Sequence, residues 1–320
     1  MRVAVLGLLF ASLVAIAGCG GEQSAGDSGG GNLSVATGGT GGVYAVYGGG
    51  LADLMSKNLE GYKATAETTS ASVDNIKLIA NKDSDIAFSL ADTAIDGVEG
   101  RESFDAKQPI RALAEIYTNY TQIGTTASQG IEKVTDLKGK RVSVGDPGSG
   151  TEVIAVRLLE AAGLDPDKDI KRSQLGVDES VNGVRDGTID AFFWSGGLPT
   201  GAVTDLATTE DIRMVPNAEY ASKLRAKYGD AYQATTIPKD TYKGLPADVK
   251  TIGVPNVLVV HEEMDEKLAH DITKLMFDQK ERLVAVHPEA KNLELKRAQN
   301  VVAPLELHPG AQQYYEEAGK

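Results

Sequence analysis

Two glycine-rich turns carry hydroxyl side chains where a small anion could be held without a basic residue. Gly38-Gly39-Thr40-Gly41-Gly42 follows the strand-like run Leu33-Ser34-Val35-Ala36-Thr37 and precedes a helix-like run. Gly148-Ser149-Gly150-Thr151 stands in the same relation to Arg141-Val142-Ser143-Val144. Glycine lets a ligand approach the backbone, and the helix start beyond it presents unpaired N–H groups with partial positive charge. Thr40, Ser149 and Thr151 add hydrogen-bonding oxygens at those points. Two tight turns with ordinary helix caps would use the same residues; the recurrence of the pattern favours a ligand.

Other chemistries find less support. The second turn has the glycine spacing of a phosphate-binding loop between Gly145 and Gly150, but Thr151 stands where the lysine belongs. Neither turn carries a clean G-x-G-x-x-G, so no nucleotide cofactor is implied. His261-Glu262-Glu263 opens like a zincin motif, yet Asp265 takes the place of the second histidine. Ser195 lacks the glycine two residues earlier that a nucleophile elbow needs. His261, His270, His287 and His308 are scattered and read as surface or packing residues, so no metal site is expected. Tyr44, Tyr117, Tyr120 and Trp194 each follow a strand end or glycine turn. Each fits a core position; together they form flat walls with single polar atoms, suited to a small polar ligand or to a cation.

The elements that must position these residues alternate. Val43, Val46, Tyr47, Leu51, Leu54 and Met55 recur at helical spacing over 43–59, and 62–69 reads as extended. A helix over 72–80 has Ser72 or a neighbour as its cap, 85–90 is a buried strand with Asp92 capping the next helix, and 111–117 is a further strand. From Tyr120 the pattern restarts: a strand over 141–144, a helix over 152–162 stopped by Gly163, a helix over 179–186, and an apolar strand over 188–194. After Val215-Pro216 the chain is expected to leave this unit. It continues with a strand over 254–260, a long amphipathic helix over 266–286 and a short terminal helix. Such alternation predicts an α/β fold of βαβ units around a largely parallel sheet.

Length points the same way. The body of the 320-residue chain, from about Asn32 to Lys320, exceeds the size at which one core usually keeps growing, so two lobes are expected. The formal net charge of −13 argues against nucleic acid, whose binding needs Lys and Arg on phosphates. The one cysteine, Cys19, closes Ile16-Ala17-Gly18-Cys19 after Arg2 and an apolar run too short to span a bilayer. Residues 1–18 thus read as a lipoprotein signal with Cys19 the acylated residue, the alternative being an ordinary signal with an incidental cysteine. Gly, Ser and a few charges over 19–31 form a flexible tether. A lipid-anchored, extracytoplasmic protein follows.

With these residues in view the chain resembles the TAXI branch of solute receptors for tripartite ATP-independent periplasmic (TRAP) transporters. The resemblance runs through Ala36-Thr37-Gly38-Gly39-Thr40-Gly41-Gly42-Val43-Tyr44, the run from Leu137 to Gly145, Gly148-Ser149-Gly150-Thr151, Ile189-Asp190-Ala191-Phe192-Phe193, and His308-Pro309-Gly310-Ala311 with Tyr314-Tyr315. It implies a two-lobe, type II periplasmic-binding-protein-like fold with hinge strands: 32–121 and 216–320 in one lobe, 122–215 in the other. It also implies lobe closure on a small carboxylate, glutamate, glutamine or a dicarboxylate such as 2-oxoglutarate, and delivery to a TRAP permease, without cofactor or catalysis. By position Thr40, Gly41, Gly42 and Tyr44 meet the ligand from one lobe, and Gly148, Ser149, Gly150 and Thr151 from the other. Ser70, Tyr117 and Trp194 join them. The chain departs from the family at Leu90, where many members carry Gln. A ligand-sensing receptor on the same scaffold and a cleft hydrolase are the other classes, and no nucleophile–base pair in the sequence nominates the latter.

Overall fold

The computed structural model describes residues 30–319. The expected signal, Cys19 and the tether up to residue 29 lie outside the described residues. The first lobe opens with β1 (Gly31–Ala36), α1 (Val43–Asn58), β2 (Tyr62–Glu67), α2 (Ser72–Asn81), β3 (Ile86–Leu90) and α3 (Ala91–Glu99). β1 pairs in parallel with β2 and β3. All five residues of β3 are buried, as befits a strand covered on both faces. α1 buries Val43, Tyr44, Tyr47, Leu51, Leu54 and Met55, a stripe set by their three- and four-residue spacing.

Two long strands join the halves: β4 (Ile110–Thr126), of 17 residues, and, much later, a 13-residue strand over Val249–His261. Between them come β5 (Arg141–Ser143), α4 (Gly150–Ala161), β6 (Lys171–Ser173), α5 (Val177–Arg185), β7 (Ala191–Gly196), α6 (Gly201–Thr209), β8 (Ile212–Met214), α7 (Ala221–Tyr228) and β9 (Gln233–Ile237), so the second long strand is β10. The chain ends in α8 (Glu266–Asp278), α9 (Lys280–Val286), α10 (Leu295–Ala298) and α11 (Pro309–Ala318). One sheet runs β2-β1-β3-β10-β4-β7-β5-β6, with β8 on β4 and β9 on β10. β4 pairs with β10 along the first lobe, then from Tyr120 to Thr125 with β7 in the second.

Several expectations change. The sheet is mixed: β10 is antiparallel to both β3 and β4, and β4 to β7, because strands that pass between lobes cannot belong to a βαβ unit. β4 runs nine residues past the expected strand end at 117 for the same reason. The expected helix over 266–286 breaks at Gln279, whose φ of −107° and ψ of 17° leave the helical region. Ser72 is not the cap of α2; Ala71 holds that position and the Ser72 hydroxyl accepts from the Leu90 N–H. Leu90 precedes α3, and Asp92 instead accepts from the Thr93 N–H and the Tyr232 hydroxyl. Residues 217–250 pack on the long strands and also reach the first lobe, where the Tyr232 hydroxyl donates to Asp92. Asn217 donates to the Thr121 carbonyl at 3.0 Å and accepts from the Ile252 N–H at 2.8 Å, β9 lies on Val249–Gly253, and α7 packs on α4. Gly253, opposite Tyr120, marks where β10 passes between the lobes.

Away from the strands a buried ionic cluster bridges the lobes. Arg157 of α4 donates to Asp96 of α3 and, at 2.9 Å, to the Tyr232 hydroxyl, which donates in turn to Asp92 at 2.6 Å. The guanidinium lies 3.9 Å from the centre of the Tyr228 ring, and Arg101 takes the other Asp96 oxygen at 2.8 Å. Burial pushes the Asp96 carboxyl up to about 6, against the pull of Arg157.

Candidate functional site

Four helices begin at the rim of one cavity of about 340 Å³ between the lobes. Its first-lobe wall is built from residues between Gly38 and Tyr44, from Thr68 to Ser72, and from Leu90. Tyr117 and Asn119 of β4 form its floor, and Gly145, Asp146, Ser149, Gly150 and Thr151 with 175–179 and 194–196 form the second-lobe wall. α1 and α5 start from Gly42 and Gly176 with no side chain capping them, so their first N–H groups face the rim without a side-chain acceptor. α4 is capped by Ser149, whose hydroxyl accepts from the Glu152 N–H at 3.1 Å.

The lobes meet at the same rim. The Val73 and Asp74 N–H groups at the start of α2 donate to the Gly148 carbonyl at 3.1 and 3.3 Å, a bond from lobe to lobe. Gly150 lies so close to the first lobe that a Cβ there would stand 2.5 Å from Leu90 Cδ1 and 2.7 Å from the Ser72 hydroxyl. A Cβ on Gly41 would stand 2.5 Å from an Asp178 carboxylate oxygen. At Gly150, where the neighbours Leu90 and Ser72 are buried, glycine is what allows the lobes to touch; the exposed Asp178 side chain facing Gly41 is free to move aside.

Of the residues nominated from sequence, Thr40, Gly42, Tyr44, Ser70, Tyr117, Ser149, Gly150, Thr151 and Trp194 line the cavity. Gly41 and Gly148 do not; they sit at the lobe-to-lobe contacts just described. Thr151 has a structural task as well, since its hydroxyl accepts from the Ser195 N–H at 3.1 Å. Trp194 donates from its indole to the Thr200 hydroxyl at 2.9 Å and lies against Gly42. Tyr44 donates to Asn256, and burial pushes its hydroxyl well up, so it stays protonated. Burial does the same to Tyr117, whose ring stacks on Tyr47 at 6.2 Å.

Three buried polar atoms on the cavity's lining residues have no partner: the Tyr117 hydroxyl, the Asn119 carbonyl oxygen and the Ser195 hydroxyl. An unpaired buried polar atom costs about 1–3 kcal/mol, so a wall with three of them is complete only when something else supplies the bonds. Sequence reasoning missed Asn119 and weighed Ser195 only as a nucleophile. It also missed the acidic side: Asp146, Asp178 and Glu179, the last two at the exposed start of α5. Gly176 after a short strand was the available signal for a third ligand turn, but β6 is only three residues long and polar, so no period announces it. Burial, then Glu179, then Glu152, hold the Asp146 carboxyl above its usual range.

Among the described residues no helix is long and apolar enough to cross a membrane, and no group of three or more His, Cys, Asp or Glu could hold a metal. A sheet carried between two lobes by a pair of long strands, with a cavity at the join, is the fold of the two-lobe periplasmic binding proteins. PhnD1 from Prochlorococcus marinus, solved with methylphosphonate, superposes with a TM-score of 0.56 at 11% identity, over 90% of this chain and 98% of that one. XAC2383 from Xanthomonas citri, bound to ATP, superposes at 0.53 and 12% identity, over 89% and 94%. The periplasmic aliphatic sulphonate binding protein SsuA from Escherichia coli matches at 0.47 and 14% identity, over 89% and 82%. At such identities the likeness of the first two is one of fold. The family is shown by sequence: the NMT1-like family profile matches residues 35–319, and the chain belongs to that family.

Proposed function

We propose that this protein is an extracytoplasmic receptor that captures a small organic solute by closing its lobes and hands it to a membrane permease. The observation that carries this reading is the cavity between the lobes, whose lining residues include three with an unpartnered buried polar atom. Its volume of about 340 Å³ is at the small end of ligand pockets, which run ~300–1,000 Å³. Closure follows from differential contact: a solute touching both walls favours the form in which α2 meets Gly148. Binding rather than catalysis is favoured because the cavity's hydroxyls have no His, Lys or Cys beside them among the lining residues.

The finer reading keeps Thr40, Gly42, Tyr44, Ser70, Tyr117, Ser149, Gly150, Thr151 and Trp194 as ligand contacts, with a solute carboxylate at the uncapped start of α1, whose first turn carries no acidic residue. Gly41 and Gly148 serve closure. The permease is of the TRAP type on the strength of the TAXI motifs, and Cys19 anchors the receptor. In this reading one lobe comprises 32–121 and 254–320 and the other 122–253, because β9 and Asn217 bind the second-lobe halves of the long strands. A thermal-shift screen of organic acids and amino acids tests the reading, since only a ligand bound to the folded form raises the melting point. A hit whose affinity is abolished by Gly150→Val is expected; a hit indifferent to that change would count against capture between the lobes.

A further inference from the structure

The cavity's polar inventory is one-sided. Among its lining residues there is no Lys, Arg or His, whereas Asp146, Asp178 and Glu179 are carboxylates, and none of the three forms an ion pair among the described residues. Asp146 and Glu179 converge: a Cβ on Gly176 would stand 2.9 Å from one and 2.7 Å from the other. Asn119 supplies the second, independent observation. It is only 4% exposed, and its amide nitrogen donates to the Ser195 carbonyl at 3.0 Å. That bond fixes the amide's orientation and leaves the oxygen as an unpartnered acceptor. A carboxylate or keto oxygen cannot satisfy an acceptor; an N–H or O–H can. The two features are linked through one wall. The Ser195 N–H bonds the Thr151 hydroxyl, Thr151 fills the space over Gly145, and Asp146 follows Gly145 in the chain.

We infer that the captured solute carries a protonated nitrogen, received by the Asn119 carbonyl oxygen and drawn by the lining carboxylates of Asp146, Asp178 and Glu179. The partly exposed ring of Trp194 suits the same cation. The solute is therefore a zwitterion or a cation, and a plain dicarboxylate is disfavoured twice: it leaves the Asn119 oxygen unpaired, and it brings negative charge to three carboxylates. This rests on the capture reading above and narrows its solute class.

The test is calorimetry on two panels, the amino acids with putrescine and cadaverine against mono- and dicarboxylates that include succinate and 2-oxoglutarate. Binding confined to the amine-bearing panel is expected, with 2-oxoglutarate at least ~100-fold weaker than glutamate or glutamine if either binds. Asn119→Leu should weaken the amine-bearing hit by ~10-fold or more, and the double change Asp178→Asn with Glu179→Gln, at exposed positions that spare the fold, by several-fold. An amine-free acid that binds as tightly as any amine, or tightens when Asp178 and Glu179 are neutralised, overturns the inference and leaves capture intact. Binding that ignores Gly150→Val, or silence in both panels, overturns capture and the inference with it.

Discussion

Two buried polar clusters join the lobes, and they are built on opposite principles. Around Arg157 every charge has its answer: Asp96, Asp92 and Tyr232 bond the guanidinium or one another, and no buried side-chain atom of the four lacks a partner. In the cavity wall Tyr117, Asn119 and Ser195 each present a polar atom to nothing. The first cluster is complete without a ligand and belongs to the architecture. The second leaves polar atoms that a ligand can pair, so its residues should contribute little to the stability of the free protein and much to binding.

Substitutions can break this contrast, beginning with the largest effect. Arg157→Ala takes the cation from buried Asp92 and leaves Asp96 with Arg101 alone, and should cost about 3–5 kcal/mol in urea unfolding, with solute affinity of the folded fraction unchanged. Gly150→Val should do the reverse. Its side chain meets Leu90 and Ser72 only when the lobes close, so affinity falls on the order of 100-fold, about 2.8 kcal/mol, while the melting point of the free protein holds. Thr151→Val stands between them. It removes the acceptor of the Ser195 N–H, so it should cost about 1–2 kcal/mol of stability as well as affinity. Ser195→Ala removes an unpartnered buried hydroxyl, so the free protein should gain about 1 kcal/mol of stability as affinity drops roughly 10-fold.

The smallest effect is a pH dependence. Asp96 titrates at about 6 in the folded chain against 3.8 for an ordinary aspartate, so the folded state takes up this proton first. Its contribution to stability is present below the lower value and is lost as the pH rises through about 6. Melting points of Asp96→Asn should therefore lack part of the decline that the parent shows between those two pH values, while a cavity variant such as Ser195→Ala keeps it.

How much of this was legible in the sequence depends on the range of the interactions. The two glycine turns were readable because strand, turn and helix are contiguous, and Ser149 caps α4 three residues from its partner. The fold class was readable from the recurrence of that unit. The lengths of β4 and β10 were not, since their continuation past Tyr117 and before Val254 is fixed by pairing with β7 and β9, far away in the chain. Asn119 was invisible for a related reason: its amide is oriented by Ser195, 76 residues later, and no local pattern marks an atom that lacks a partner. The Arg157 cluster likewise assembles Asp92, Asp96 and Tyr232 from three separate segments.

The central claim is that solute entering the cavity holds the lobes together. Small-angle scattering on the receptor with and without a saturating hit from the thermal screen measures this directly. The radius of gyration should contract on addition of solute in the parent and in Arg157→Ala kept below its melting point, and should not contract in Gly150→Val. A solute that binds the parent tightly at the cavity with no contraction would contradict the account.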